Sequence, residues 1–361
     1  MKLKFNLLLC FLFPLLVQAR NTGIDYKKTI NKEYTVSAGA VFNVANKYGK
    51  IVFHTWNKNT IKATIVITGF GKSDREAQET AESVKIQEDQ SGNTVSLKSA
   101  YNPSGSGGSW FSWGGKRDSK EYVNIDYDVY LPQSLSKVSV LNQFGDVIAD
   151  RFSFPAEMVL SYSTYDIREA EDLQLTVSYC DKGKIGKAGK VVMKSSYSNL
   201  RADQLGSLVT HSSYGNYTIG NVGTVEMSAS YDDYKVDRLG SITGALAYTD
   251  LVTGELQQSI DLKATYGDVN IRKIGSGFKG ADLQLSYADL KANVPSRLPM
   301  RIEVRLFHGD LHTGDLELKN VVSNKSVGGA LSYTAQAGGG NEQSAVFRVK
   351  GSNCDVKLGT Y

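Results

Sequence analysis

Residues 225–236 read Val225-Glu226-Met227-Ser228-Ala229-Ser230-Tyr231-Asp232-Asp233-Tyr234-Lys235-Val236. Val225, Met227, Ala229 and Tyr231 alternate with polar residues, the period-2 pattern of a half-buried strand. Asp232-Asp233 then makes a short corner, and Tyr234 and Val236 resume an apolar set of the opposite parity. A corner that flips parity bends a strand around a core. The layout recurs at Ile260, Leu262, Ala264 and Tyr266, then Gly267-Asp268, then Val269 and Ile271, with Ile274-Gly275 marking the next bend.

Working outward from this stretch, an aromatic residue before a polar corner recurs at Phe144, Tyr162, Tyr179, Tyr197, Tyr214, Tyr231, Tyr248 and Tyr266, always 17 or 18 residues apart. Tyr287 and Phe307 continue the series at intervals of 21 and 20. A fixed short period signals repeats that stack on their neighbours. The expected fold is all-β: a single-stranded parallel β-helix or β-solenoid of 17–18-residue coils, with a small α+β N-terminal cap. About ten coils stacked at ~4.8 Å give a rod on the order of 50 Å.

Continued alternation through the aromatic predicts that its column points inward. On that reading Tyr231→Ala costs about 3–5 kcal/mol. Positions two before the aromatic are apolar or small throughout, from Leu160 to Leu285. Positions three after it are mostly apolar, with Lys182 an exception that predicts a local irregularity in the third coil. The Leu-x-x-Leu-x-Leu core of a leucine-rich repeat is absent.

The pattern divides the chain into four parts. Residues 1–19 have a basic start (Lys2, Lys4), an apolar run from Leu7 to Val17 and small residues ahead of the Ala19 boundary. This is the form of a signal peptide and is too short to span a membrane. Leu9 before Cys10 is too large for the usual lipoprotein signal. Residues 20–138 carry one early corner (Tyr48-Gly49-Lys50-Ile51) and otherwise read as a cap. Its elements are an alternating strand at Ile61–Ile67, a capping box at Ser73–Glu76 opening a helix to about Ser83, a hairpin around Asp89–Asn93, and a strand from Val123 stopped by Pro132. Within it, 102–120 is a Gly/Ser-rich loop holding Trp110, Phe111 and Trp113. Residues 139–318 form the repeats and 319–361 a C-terminal cap.

Removing Lys2 and Lys4 from the 41 basic residues leaves 39 against 37 acidic ones. That balance argues against nucleic acid as a partner. No second apolar run of spanning length occurs, so the exported chain is expected not to span a membrane. It is expected to be periplasmic, at the cell surface or extracellular. Cys180 and Cys354 fall many coils apart, which predicts two free thiols filling corner positions.

Several segments of the chain together resemble a bacterial putative-adhesin family with β-strand repeats. The resemblance rests on Val44–Val52 followed by Trp56, on the helix near Glu76–Ser83 followed by Val84-Lys85-Ile86, on Val129-Tyr130-Leu131-Pro132 leading to Phe144-Gly145-Asp146-Val147, and on Tyr266-Gly267-Asp268-Val269. It covers nearly the whole chain after the leader. It implies an exported β-solenoid of the bacterial envelope and brings no catalytic residues with it.

Several constellations compete as sites. Asp146, Asp181, Asp233, Asp250, Asp268 and Asp289, with Asn199 and Asn216, stand two after the aromatic. A column of stacked carboxylates suits calcium, but Asp and Asn also favour tight turns. No metal or cofactor is expected. A Ser/Thr stripe precedes the aromatic (Ser161, Ser178, Ser196, Ser213, Ser230, Thr265, Ser286) and is read as a small-residue outer face. His308 and His312 flank Asp310 in one corner, and are read as surface residues. Arg168 with Glu169, Glu171 and Asp172 is the densest charge cluster, and Arg201 with Asp203 occupies similar places in a later coil. A β-helix polysaccharide lyase or hydrolase would need such a cluster. Alternating charge on an exposed edge is its ordinary explanation, and no catalytic residue is assigned. The expected function is therefore a non-enzymatic, adhesin-like or scaffolding envelope protein that binds glycan or an envelope protein through a rigid surface. Carbohydrate-active enzyme is the alternative. Trp110, Phe111 and Trp113 are the expected contact residues, since exposed aromatic clusters mark interaction surfaces.

Overall fold

The structure, a computed structural model, describes residues 24–101 and 122–361. Among these the chain is nearly all-β, with 25 strands joined in one mixed sheet and one nine-residue helix. The signal-peptide segment and the loop bearing Trp110, Phe111 and Trp113 lie outside the described residues.

In the middle of the chain the strands Thr164–Ser178, Gly183–Ser196, Leu200–Ser213, Asn216–Ser230, Asp233–Ala247 and Asp250–Thr265 each pair in parallel with the next. The register sets equivalent positions of the period opposite one another: Val177 faces Ser195, Ser212 faces Ala229, and Leu246 faces Ala264. We call each such layer a tier. Within Thr164–Ser178 the inward side chains are Tyr165, Ile167, Ala170, Leu173, Leu175 and Val177. Two consecutive outward residues at Arg168-Glu169, and again at Glu171-Asp172, mark bends between those inward sets. The second bend is lined from the next tier onward by Gly189, Gly206, Gly223 and Gly240. There a Cβ on any of the last three would lie 2.1–2.6 Å from the carbonyl oxygen of the glycine before it.

The aromatic column is on the outside, not in the core. Tyr162, Tyr179, Tyr197, Tyr214, Tyr231, Tyr248, Tyr266 and Tyr287 are each 44–54% exposed. Their φ angles lie between 49° and 58°, in the left-handed region. That conformation is uncommon for a bulky residue and explains the reversal. The left-handed turn interrupts the alternation, so the ring swings out and the residue after it (Ser163, Cys180, Ser198, Asp232, Thr249) takes the buried place. The column also starts earlier and ends differently than the spacing predicts. Tyr48 is its first ring, stacked on Phe144. At the far end His308 holds the left-handed corner and Phe307 stands one place before it.

Both ends depart from chain order. Residues 41–56, expected in the cap, form a tier inside the stack. Val41–Lys47 lies between Lys137–Gln143 and Thr94–Tyr101, and Ile51–Trp56 lies between Asp146–Phe152 and Tyr122–Pro132. Beyond this, Thr60–Gly71 and Ile24–Thr35 extend the sheet antiparallel. The helix Asp74–Glu82 starts as expected: Ser73 Oγ accepts from the Glu76 amide, and Glu76 turns back to accept from the Lys72 amide at 2.8 Å. The hairpin turns in two residues, Gly92-Asn93, with Ser91 opposite Thr94. The outer strand Ile24–Thr35 carries Lys27, Lys28 and Lys32, which blunt an open edge. At the other end Ala345–Ser352 and Val356–Thr360, expected in a separate cap, run between tiers that are adjacent in sequence. Cys180 and Cys354 are free and buried.

Candidate functional site

The tyrosine ladder is an extended, regular surface feature. From Tyr48 through Phe144 to Tyr287, ten rings make nine consecutive stacked contacts with centroid distances of 4.8–5.5 Å. Between Tyr162 and Tyr248 adjacent planes agree within 3°. The parallel ladder imposes the spacing: the Tyr179 amide donates to the Ser196 carbonyl and the Tyr197 amide to the Ser213 carbonyl, both at 3.0 Å. Because each ring covers its neighbour's face, solvent meets ring edges and phenol hydroxyls. The eight tyrosines from Tyr162 to Tyr287 are about half exposed, so their hydroxyls are open to solvent and to a ligand. The half-buried Ser/Thr stripe runs beside them.

Much of the acidic column on the other side of the corner is engaged by the neighbouring tier. The Asp268 amide donates to Asp250 Oδ1 at 2.8 Å, the Asp289 amide to Asp268 Oδ1 at 3.1 Å, and the Asp355 amide to Asp289 Oδ1 at 2.8 Å. Asn216 donates to Asn199 Oδ1 in the same way, and Thr164 Oγ1 to Asp146 Oδ1. Asn199, Asp250, Asp268 and Asp289 thus each satisfy an amide of the next tier, and Asp146 a hydroxyl, a turn-stabilising role. Among the described residues no group of three or more His, Cys, Asp or Glu side chains is placed to hold a metal ion.

A groove of about 560 Å³ opens beside the ladder, lined by Asp166, Lys182, Lys184, Asn199, Arg201 and Thr218 among others. Its origin is the irregular tier foreseen at Lys182. One extra residue there brings Gly183, not Lys182, opposite Tyr165. A Cβ at Gly183 would lie 2.2 Å from Tyr165 Cζ, so only glycine admits that ring. Lys184 Nζ reaches Asp166 Oδ2 at 3.3 Å, leaving mixed charge along the groove.

Behind the ladder runs a buried polar network that sequence reasoning missed. Asp232, a corner residue by its sequence position, is 3% exposed. Its Oδ1 accepts from the Gly215 amide at 2.7 Å, and its Oδ2 from Ser212 Oγ at 2.7 Å and the Ser230 amide at 3.2 Å. Ser212 also meets the Tyr234 hydroxyl at 2.7 Å, and Tyr217 donates to Ser195 at 2.8 Å. Burial pushes the Asp232 carboxyl above the ordinary range, partly offset by these donors. The available signal was an acid at a position that neighbouring tiers fill with Gly, Ser, Cys or Thr.

Arg168 does not form a pocket with Glu171 and Asp172. Its guanidinium lies 3.6 Å from Asp150, whose other oxygen is 3.3 Å from His54 Nδ1, while His54 Nε2 is 3.0 Å from Asp128. His54 stacks on Tyr130, which also packs against Trp56. Glu169 is 3.7 Å from Arg151. Asp310 pairs with Lys325 at 2.8 Å, which holds its carboxyl below the ordinary range. The segment with Trp110, Phe111 and Trp113 joins Tyr101 to Tyr122, and the Tyr101 ring meets Tyr48 edge-on at 6.5 Å.

No family model matches this chain, and no curated protein does. Solved structures do match. A putative cell adhesion protein from Clostridium sporogenes is 11% identical, covering 92% of this chain and 100% of its own, with a TM-score of 0.20. A putative adhesin from Bacteroides fragilis is 12% identical over 92% of this chain and 97% of its own, with a TM-score of 0.30. The chain is similar to bacterial putative adhesins. A further putative adhesin, from Parabacteroides distasonis, is 12% identical over 74% of this chain and 92% of its own, with a TM-score of 0.31. No helix among the described residues is long and apolar enough to cross a membrane.

Proposed function

We propose that the chain winds as a single-stranded parallel β-solenoid and serves, after export, as a non-enzymatic, adhesin-like envelope protein whose tyrosine ladder is a rail for an extended glycan. The observation that carries this reading is the row of eight half-exposed tyrosines whose rings stack 4.8–5.1 Å apart. Face-on stacking of sugar rings needs free aromatic faces, and within the ladder those are covered. The ladder offers hydroxyls and ring edges instead, once per tier. An extended β-1,4-linked polysaccharide advances one sugar in roughly the inter-strand spacing of a sheet and turns the same hydroxyls to one side at every second sugar. One chain can therefore touch every second rung in register. Each contact is weak alone, and together they act as linked sites. Trp110, Phe111 and Trp113 are proposed to add an aromatic contact to the same glycan.

The test is calorimetric titration with a β-1,4-linked oligosaccharide series of rising length. Affinity should climb with each added unit well past the few sugars that the groove can hold. The triple substitution Tyr197→Phe, Tyr214→Phe, Tyr231→Phe keeps the stack and should weaken the long oligomers at least tenfold. Affinity independent of both length and hydroxyls would refute the rail. Turnover of an anionic polysaccharide that is lost on changing Arg168 would instead place the chain among carbohydrate-active enzymes.

A further inference from the structure

The tier formed by residues 345–360 is out of order. Ala345–Ser352 pairs in parallel with Gly280–Ser286 on one side and Met300–Phe307 on the other. Val356–Thr360 pairs in parallel with Leu290–Val294, and Val356 and Lys357 with Leu311 and His312 on the opposite side. The two flanking tiers follow each other in sequence, yet they leave a slot one tier wide that a later segment fills. Phe347, Val349 and Val356 are fully buried there. Arg348 spans the slot, 3.3 Å from Asp282 on one wall and 3.0 Å from Glu303 on the other. The corner continues across it, since the Asp355 amide donates to Asp289 and the Asp310 amide to Asp355.

We propose that this inserted tier is exchangeable between copies of the chain, and that its insertion into the slot of a second copy makes a strand-swapped dimer. Three observations support it. Every contact the insert makes is to an element that a second copy supplies identically, so exchange sacrifices none of them. The connection from Ala337 to Ala345 contains Gly338-Gly339-Gly340, two of them at positive φ (58° and 78°), which is a ready hinge. The insert is held by the flanking ladders on both sides and by no covalent cross-link, Cys354 being a free thiol.

The chain carries its own reporters. Cys354 lies in the insert, and Cys180 lies in the contiguous stack, both buried. Maleimide labelling of the native protein, read at each thiol by peptide mass mapping, should modify Cys354 at least tenfold faster than Cys180. Equal rates would mean that the insert does not come out separately and would overturn the proposal. Exchange itself is read with Glu303→Cys/Arg348→Cys, which places two thiols on directly paired residues of slot and insert. Incubation at high protein concentration, then oxidation, should give a disulfide-linked dimer on a non-reducing gel, growing with concentration. Only intramolecular disulfide at every concentration would overturn the proposal, even if the protein dimerises through another surface. Should that variant not fold, light scattering of the unmodified chain replaces it: a dimer should appear under conditions that label Cys354 and persist on dilution, and a monomer throughout would refute exchange.

Discussion

Replacing one ladder tyrosine separates the two forces that meet at the corner. Tyr231 is 49% exposed, sits between Tyr214 at 4.9 Å and Tyr248 at 4.8 Å, and has φ of 58°. Full burial of an aromatic covers ~150–250 Å², so half-burial is worth about 100 Å², or ~2.5 kcal/mol at ~25 cal/mol per Å². The two stacked contacts add ~0.5–1.5 kcal/mol each beyond burial. Tyr231→Ala should therefore cost ~3.5–5.5 kcal/mol, while leaving a Cβ in the left-handed region, a strain of ~1–2 kcal/mol. Tyr231→Gly loses the same ring but relieves that strain, against ~0.4–1 kcal/mol of extra unfolded-chain entropy. The glycine variant should be the more stable of the two by ~1 kcal/mol, the reverse of the usual order in a strand. Urea unfolding of both variants, followed by circular dichroism, makes the comparison. An alanine variant as stable as the glycine one, or more so, would refute the left-handed corner and with it the outward ladder.

Other consequences are equally direct. Tyr165 is buried with its hydroxyl unpartnered, whereas the Tyr217 hydroxyl donates to Ser195. Tyr165→Phe should therefore be neutral or stabilising by up to ~1 kcal/mol while Tyr217→Phe costs ~1 kcal/mol, as urea midpoints will show. Asp232 titrates above its unfolded value, so its protonated form favours the fold. Its contribution should be full below pH about 3.9 and fall as pH rises through the raised folded value. Asp232→Asn should flatten that segment of the stability–pH curve. Burial first, then Asp289 and Asp355, push the Cys354 thiol up to about 11. The stability it contributes should be lost between pH about 8.5 and 11, and Cys354→Ser should remove that alkaline loss in thermal melts. Gly183→Ala drives a Cβ into the Tyr165 ring and should cost ~1–3 kcal/mol, restored in part by Tyr165→Leu.

The period was legible because every tier repeats one task at one place: an aromatic at 17 or 18 residues marks each turn. Its orientation was not, since alternation assumes extended backbone and a left-handed residue breaks the count. Ser230 and Tyr231 both face outward where parity puts one of them inside. The irregular tier was foreshadowed by Lys182 breaking the apolar column, though not the groove that results. The end of the ladder was invisible for a different reason. Asn353 carries the left-handed corner of the inserted tier without an aromatic, and asparagine is among the residues that accept that conformation. Linear spacing joins Tyr287 to Phe307, and only three-dimensional pairing places Asn353 between them. Asp232 stayed hidden because an acid beside a turn is ordinarily solvated.

Synthesis runs from the N-terminus, and the out-of-order tiers make the fold keep time with it. Residues 156–265 can be laid down as they appear, each tier on one already in place. The tier 41–56 emerges before either of its neighbours and must wait for 94–132 and 137–152. The slot between 280–294 and 300–312 stays open until residues 345–360 exist. A chain interrupted between His312 and Ala345 therefore displays two unpaired parallel edges, features that proteases and chaperones recognise, whatever the condition of its remaining tiers. The arrival of residues 345–360 is thereby registered in the molecule itself, as the closing of one gap.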